Sequence, residues 1–265
     1  MGLVSFDISI HSSVLGFNTD INVLIPTEEE KTGEKKRYQV LYLFHGGHGG
    51  YTDFKRMTNI ESWASARKLA VVMPSAANSF YQDMEKGEAY FTYLTEELPR
   101  ICQRLFPISR KRENTFAGGV SMGGYGALRV ALAKPEQYAD AFSIAGAVDF
   151  SAGMYESINH LVWNPFKPYS LAKDPLHVTG TDSDLFALVH RLKQENKKIP
   201  GIYMRTGTRD IFCHHMNVTA RQAFEKEGIP FDYQEADAEH EWGFWAKCLP
   251  EALDWLPLAR EAVTD

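Results

Sequence analysis

The run from Thr115 to Leu128 constrains this chain more than any other stretch. A short apolar segment leads into Gly119-Val120-Ser121-Met122-Gly123, and a segment rich in alanine and leucine follows. This order is typical of a strand, a sharp turn and a helix, with a serine at the apex of the turn. A glycine two residues to either side of Ser121 leaves room where side chains would collide. The pattern therefore predicts an exposed serine hydroxyl, although such glycine pairs also occur in ordinary connections.

The composition is that of an ordinary globular protein. The 265 residues are 44% hydrophobic and 23% charged, which is enough apolar material for one core, so we predict a single domain over residues 1–265. The formal net charge is −6, and the basic clusters Lys35-Lys36-Arg37 and Arg110-Lys111-Arg112 are short. This balance argues against nucleic acid or an anionic membrane as a partner.

The N-terminus and the cysteines favour a cytoplasmic protein. Residues 1–10 alternate apolar and polar side chains, which is typical of a first strand and not of a signal peptide. No run reaches the roughly 18 apolar residues that a membrane span needs. Cys102, Cys213 and Cys248 are widely spaced, and we interpret them as reduced thiols.

Strands and helices alternate along most of the chain. Apolar runs predict strands at 4–10, 19–25, 38–44, 69–73, 114–120, 142–145, 202–205 and 231–234. Helical spacing predicts helices at 53–68, 88–106 (with a kink or a late start at Pro99), 121–133, 185–192, 215–227 and 241–256. Two strands followed by this alternation predict an α/β fold, with a mostly parallel sheet covered on both faces. Ligands of such sheets bind beyond the carboxyl ends of the strands.

A serine hydroxyl becomes a useful nucleophile only beside a histidine base that an acid orients. With the serine at a strand-to-helix turn, the expected chain order is serine, acid, histidine. Asp210 follows the strand at 202–205 and is our first choice for the acid, although it is also a plausible helix cap. Asp149 follows an earlier strand and remains an alternative, whereas Asp182 is typical of a cap.

His240 is the expected base, because it lies between the last strand and the final helix. His214 and His215 start a helix before the last strand, so we consider them only as possible pocket residues. No positional argument supports the other candidates, which are His11, His160, His177 and His190.

A glycine-rich segment, residues 45–50, follows the strand at 38–44. Its backbone N–H groups and that of Met122 are suited to hold an oxyanion, with Gly47 the first choice and His48 the next. No Lys-Ser/Thr pair follows, and the glycine spacing is not that of a nucleotide loop. A metal site is not expected, since His45 and His48 lack a nearby carboxylate partner. A serine nucleophile with a histidine base implies no organic cofactor either.

Taken together, these segments resemble the α/β-hydrolases, and among them the esterase D family. The resemblance spans nearly the whole chain and rests on residues 41–47 (Leu-Tyr-Leu-Phe-His-Gly-Gly), 79–83 (Ser-Phe-Tyr-Gln-Asp), 96–99 (Glu-Glu-Leu-Pro), 119–127, 207–210 and 240–242. It implies the α/β-hydrolase fold, with Ser121 as nucleophile, Asp210 as acid and His240 as base. It also implies an oxyanion hole at the N–H groups of Gly47 and Met122, and a homo-oligomer.

The resemblance implies a serine carboxylesterase that hydrolyses short-chain acyl esters through an acyl-enzyme. Acetylated or feruloylated carbohydrates are among the candidate small-molecule substrates. An S-formylglutathione hydrolase-like thioesterase, an acyltransferase and a catalytically dead binding module are the alternatives.

The irregular segment 150–182, with Trp163 and Phe166, is expected to be a lid or pocket wall, or else a surface excursion. Trp242 and Trp245 are expected to pack the last helix.

Overall fold

A computed structural model describes residues 2–27, 37–84, 87–149, 178–259 and 261–263. Most of the segment expected to form a lid, residues 150–177, lies outside these ranges, together with Trp163, Phe166, His160 and His177. The strands are β1 (Gly2–Ser12), β2 (Phe17–Thr27), β3 (Val40–Phe44), β4 (Ala70–Pro74), β5 (Thr115–Val120), β6 (Asp140–Ile144), β7 (Gly201–Gly207) and β8 (Asp232–Ala236).

The helices lie at the predicted positions, and two of the predicted helices are divided. They are α1 (Asp53–Met57), α2 (Ile60–Ala66), α3 (Tyr90–Thr92), α4 (Leu98–Leu105), α5 (Met122–Ala133), α6 (Leu185–Gln194), α7 (His214–Glu227) and α8 (Trp242–Trp255). A π-helical turn, Tyr93–Glu97, joins α3 to α4, and a 3-10 turn, Arg112–Asn114, precedes β5. None of the helices in the described ranges is long and apolar enough to cross a membrane.

All eight strands form one sheet in the order β1-β2-β4-β3-β5-β6-β7-β8. The first hairpin is antiparallel and β2 runs antiparallel to β4, whereas every other pairing is parallel. The predicted mostly parallel sheet is therefore confirmed. Phe44 of β3 pairs with Gly119 of β5, and Val120 pairs with Ile144 of β6, so the central strands end almost level. Loops that follow these strands meet at one edge of the sheet.

Helices cover both faces of the sheet. The core on one face contains buried side chains of α1, α2 and α8, including Phe54, Ile60 and Leu249. The core on the other face contains those of α4 to α7, with Leu128 and Phe224 among them. Because helices cover the central strands on both faces, β3, β4 and β5 are buried along their whole length. This explains their continuous apolar sequences.

Two predicted helices are interrupted, each for a local reason. The helix expected over 53–68 breaks at Thr58, whose hydroxyl donates to the Phe54 carbonyl (2.5 Å) and accepts from the Ile60 N–H (3.2 Å). The helix expected over 88–106 begins at Tyr90 and widens into the π-helical turn just before Pro99. Proline has no N–H and its ring would clash with the carbonyl four residues earlier, so a wider turn accommodates it.

Candidate active site

Ser121 sits at a sharp turn between β5 and α5. Its backbone angles are φ 54° and ψ −122°, a region that side-chain-bearing residues rarely adopt. A Cβ on Gly119 would lie 2.7 Å from the Phe44 carbonyl oxygen, and one on Gly123 would lie 2.1 Å from the same atom. Both positions therefore require glycine, because the end of β3 lies against the turn and because Gly119 also meets the Gly123 carbonyl oxygen, 2.3 Å from an added Cβ.

A chain of hydrogen bonds runs from Ser121 through His240 to Asp210. His240 Nε2 lies 2.8 Å from Ser121 Oγ, and His240 Nδ1 lies 2.7 Å from Asp210 Oδ2. An ionised carboxylate only accepts, so Nδ1 carries the proton and the serine hydroxyl donates to Nε2. This is the geometry in which a histidine can remove the serine proton.

Asp210 is held rigidly in the turn after β7. Its Oδ1 accepts hydrogen bonds from the N–H groups of Phe212 (2.9 Å) and Cys213 (2.8 Å), and the side chain is fully buried. Burial acts to raise the pKa of Asp210, but the hydrogen bond and charge of His240 and the two N–H donors outweigh it and lower the pKa. The carboxylate is thus ionised at neutral pH.

The His240 ring is packed on two sides by aromatic edges. Its centroid lies 4.9 Å from that of Trp245 and 5.6 Å from that of Phe212. Trp245 and Trp242 both pack α8 against the core, as expected. The contact of Trp245 with His240 was not predicted from the sequence. The available signal was that Trp245 follows His240 by five residues, within the first turn of the final helix.

Of the acid candidates, Asp210 is the one hydrogen-bonded to His240. Asp149 is buried after β6, and Asp210 occupies the position beside His240. Asp182 pairs with Arg191 on the surface, while the cap of α6 is Asp184, whose Oδ1 accepts from the N–H groups of Phe186 and Ala187. The expectation of a cap at Asp182 is therefore wrong by two residues.

Four further histidines in the described ranges make no hydrogen bond to Ser121, His240 or the Asp210 carboxylate, although the His214 N–H donates to the Asp210 carbonyl (3.1 Å). His214 Nε2 contacts Glu235 Oε2 at 3.1 Å, His190 contacts Glu227, and His11 contacts Asn18. His215 is exposed on α7.

The glycine-rich loop after β3 lies directly beside Ser121. A Cβ added to Gly46 would lie 3.4 Å from the Cβ of Ser121. The N–H of His48 donates to Asn78 Oδ1 at 2.7 Å, so it is already occupied. In the part of the chain that the structure describes, the N–H groups of Gly47 and Met122 donate to no protein acceptor. Of the two predicted loop donors, Gly47 is therefore the one available to a ligand.

His45 fixes the orientation of this loop. Its Nε2 accepts from the Ala76 N–H (2.9 Å), so Nδ1 carries the proton and donates to the Gly46 carbonyl (2.7 Å). That carbonyl shares a peptide plane with the Gly47 N–H, which consequently points the opposite way. Burial lowers the pKa of His45, although the Gly46 hydrogen bond and the charge of Asp53 act to raise it. The side chain therefore stays neutral.

Residues 79–83 pack against the glycine-rich loop and the end of β3, a role that was not predicted from the sequence. The Tyr81 ring stacks on Phe44 at 4.8 Å, and its hydroxyl reaches the main chain of His45. Arg129 donates to the Tyr81 carbonyl. A Cβ on Gly126 would lie 2.4 Å from the Tyr81 ring, so α5 and this segment are fitted closely.

Asp210, Cys213 and His240 could together offer three metal ligands, since their ligand atoms lie within 4.8 Å of one another. The 2.7 Å separation of His240 Nδ1 and Asp210 Oδ2 is that of a direct hydrogen bond, and it leaves no space for an ion between them. Burial, together with the charge of Asp210, raises the pKa of the Cys213 thiol, so it is protonated.

Comparison with known proteins assigns the family. The Esterase family matches residues 12–256 of this chain. The sequence is 34% identical over 261 residues to an acetyl esterase of Caldicellulosiruptor saccharolyticus, covering 94% of this chain and 96% of the relative.

Two solved structures from Staphylococcus aureus are similar over their whole length. A substrate-bound fluorophosphonate-binding serine hydrolase F superposes with a TM-score of 0.87 at 27% identity, covering 96% of this chain and 98% of that one. An S-formylglutathione hydrolase superposes with a TM-score of 0.86 at 26% identity, covering 97% and 99%. The chain therefore belongs to the Esterase family of carboxylic ester hydrolases and has the α/β-hydrolase fold.

Proposed function

We propose that this chain is a serine carboxylesterase that hydrolyses short-chain acyl esters through an acyl-enzyme. Ser121 is the nucleophile, His240 the general base and Asp210 the group that orients the base. The observation that carries this proposal is the unbroken hydrogen-bond chain, at 2.8 and 2.7 Å, from Ser121 Oγ to Asp210 Oδ2.

In the first half of the reaction, Ser121 Oγ attacks the ester carbonyl carbon while His240 Nε2 takes its proton. The negative charge that develops on the carbonyl oxygen is held by the N–H groups of Gly47 and Met122. The imidazolium then donates the proton to the departing alcohol oxygen, and the acyl group remains on Ser121. Asp210 stabilises the imidazolium throughout, because its own carboxylate stays ionised.

In the second half, water replaces the alcohol. His240 removes a proton from the water as it attacks the acyl-enzyme, the same two N–H groups hold the oxyanion, and the proton returns to Ser121. The strained backbone at Ser121 supports this role, since a sharp strand-to-helix turn is the conformation that presents a nucleophilic serine above the sheet.

The decisive experiment compares the wild type with Ser121→Ala on ethyl acetate and on a fluorophosphonate probe. We expect turnover to fall by about 10⁴-fold or more and labelling to disappear, with the circular dichroism spectrum unchanged. A folded Ser121→Ala variant that retains full activity would contradict the proposal. Failure of the wild type to label would instead indicate a binding module without catalysis.

Acetyl esters are the first substrates to test, because the relative from Caldicellulosiruptor saccharolyticus is an acetyl esterase. The similarity to an S-formylglutathione hydrolase supports a second candidate, a thioesterase that uses the same residues. The ratio of kcat/KM for S-formylglutathione and ethyl acetate distinguishes the two. If an acceptor other than water takes the acyl group, a transacylation product should be detected.

The three buried free thiols support a cytoplasmic location.

A further inference from the structure

Two neighbouring apolar side chains are exposed immediately after Asp210. Ile211 is 82% exposed and Phe212 is 42% exposed, and Ile211 is the most exposed large apolar side chain among the described residues. Single exposed apolar residues are normal on a protein surface, whereas an adjacent pair next to a reactive cluster is a candidate surface for substrate contact.

The pair is tied to the catalytic cluster by its backbone. The Phe212 N–H donates to Asp210 Oδ1, and the Cys213 N–H donates to the same atom. The Phe212 ring then meets the His240 ring edge-on, at 5.6 Å and 66°. Because the same short turn holds the acid and the exposed ring, the ring keeps a fixed position relative to the base.

The chemistry of ester cleavage indicates which half of the substrate lies beside Phe212. His240 Nε2 must deliver its proton to the departing alcohol oxygen, so this oxygen lies next to the imidazole. The carbon atoms of the alcohol therefore extend over the groups that border that ring. Of its two aromatic neighbours, Trp245 is buried in the core, whereas Phe212 faces solvent.

We propose that Ile211 and Phe212 form the wall of the subsite that receives the alcohol half of the ester, and that this wall selects apolar alcohols. The proposal rests on the role proposed above for His240. Neither side chain offers a hydrogen-bond donor or acceptor, so a bulky apolar alcohol gains contact here, whereas a sugar hydroxyl would lose its water without replacement.

The test varies only the alcohol. Ethyl acetate and hexyl acetate share the acyl group, and their alcohols have similar acidity, so the ratio of their kcat/KM values reports contacts with the alcohol chain. We expect Ile211→Ser and Phe212→Ser each to lower the hexyl-to-ethyl ratio by roughly 3- to 10-fold, and Phe212→Leu to restore most of the ratio. Leu105→Ser is the matched control, since it removes an apolar side chain that is 62% exposed at the end of α4 and should leave the ratio unchanged.

A second series varies only the acyl group. The ratio for ethyl butyrate and ethyl acetate should be the same in Ile211→Ser and the wild type, because the acyl chain lies on the other side of the scissile bond. A change in this ratio equal to that in the alcohol series would overturn the assignment. So would a preference for acetylated xylose over hexyl acetate that is lost in Phe212→Ser.

The outcomes separate this proposal from the proposed function. If fluorophosphonate labels Ser121 and ethyl acetate is hydrolysed, but Ile211→Ser and Phe212→Ser leave the alcohol ratio unchanged, the esterase assignment stands and the subsite assignment is wrong. If Ile211→Ser also changes the molecular mass in solution while the ratio is constant, the pair is an interface between copies and the subsite is likewise refuted.

Discussion

The Tyr81 hydroxyl donates a hydrogen bond of 2.7 Å to the main-chain carbonyl of His45. This bond joins the segment 79–83 to the loop that carries the proposed oxyanion donor Gly47. Burial raises the pKa of Tyr81 well above its ordinary value, so the hydroxyl keeps its proton and always donates. The loop is thus held by a side chain that is fully buried.

Removing this hydroxyl should loosen the loop without touching the nucleophile. We expect Tyr81→Phe to lower kcat by about tenfold, less than the ~100-fold typical of a lost oxyanion donor, with little change in KM. Tyr138→Phe is the control, because the Tyr138 hydroxyl is also buried but has no hydrogen-bond partner among the described residues. Equal effects of the two variants in steady-state kinetics would contradict this role for Tyr81.

The choice between Asp210 and Asp149 as the acid can be tested by amide substitution. In Asp210→Asn, the amide oxygen must accept the hydrogen bonds that the N–H groups of Phe212 and Cys213 donate. The amide NH₂ group therefore faces His240 Nδ1. Nδ1 must then accept, Nε2 becomes protonated, and it can no longer take the serine proton.

We therefore expect a loss in kcat of about 10⁴-fold for Asp210→Asn near neutral pH. Asp149→Asn should retain most of the activity, as measured by kcat on ethyl acetate. The reverse order of losses would reassign the acid to Asp149.

His45 should make stability depend on pH on the acid side. Its folded pKa lies below the ordinary value of 6.5 that it regains on unfolding. Between these two values the unfolded chain binds more protons than the folded one, so the free energy of unfolding falls as the pH drops below 6.5. The effect levels off once the pH passes the folded pKa.

Urea unfolding of the wild type and of His45→Gln isolates this contribution. Glutamine does not titrate, so the stability cost of the substitution should be largest near pH 8 and should shrink as the pH is lowered towards 5. A cost that is constant over this range would show that His45 does not titrate in the way inferred.

The backbone strain at Ser121 should appear in the stability of its variants. Glycine adopts a φ of 54° at little cost, whereas alanine keeps the Cβ that makes this conformation unfavourable. We expect Ser121→Gly to be more stable than Ser121→Ala by about 1 kcal/mol, although both are inactive. Thermal unfolding of the two variants side by side provides the measurement, and equal midpoints would mean that the turn is relaxed.

Sequence reasoning located the proposed serine, acid and base because each follows a strand in a sheet whose strands end level. The glycines at 119 and 123 were predictable from the narrow turn, and the structure identifies Phe44 as the residue beneath them. Such patterns reflect local backbone conformation, which depends on residues close together in the sequence and can therefore be predicted from it.

Contacts made across the fold were not predictable in this way. Tyr81 lies 40 residues before Ser121 in the chain, and nothing in its local sequence shows that its hydroxyl reaches His45. Similarly, the exposed positions of Ile211 and Phe212 depend on a turn that buries Asp210 before them and Cys213 after them. The split at Thr58 arises because a threonine hydroxyl competes with the backbone for hydrogen bonds, which helical periodicity does not register.

His240 follows β8, which lies at the edge of the sheet and contains no fully buried residue. Main-chain hydrogen bonds join the turn after β7 to the end of β8 (Thr208 N–H to the Ala236 carbonyl, 2.8 Å) and to the loop before His240 (Arg209 N–H to the Ala238 carbonyl, 3.0 Å). Edge strands with few buried contacts open locally at a fraction of the global unfolding free energy. Mild denaturant should therefore detach the base from the serine while the central strands remain folded, and the enzyme would lose its activity before its circular dichroism signal.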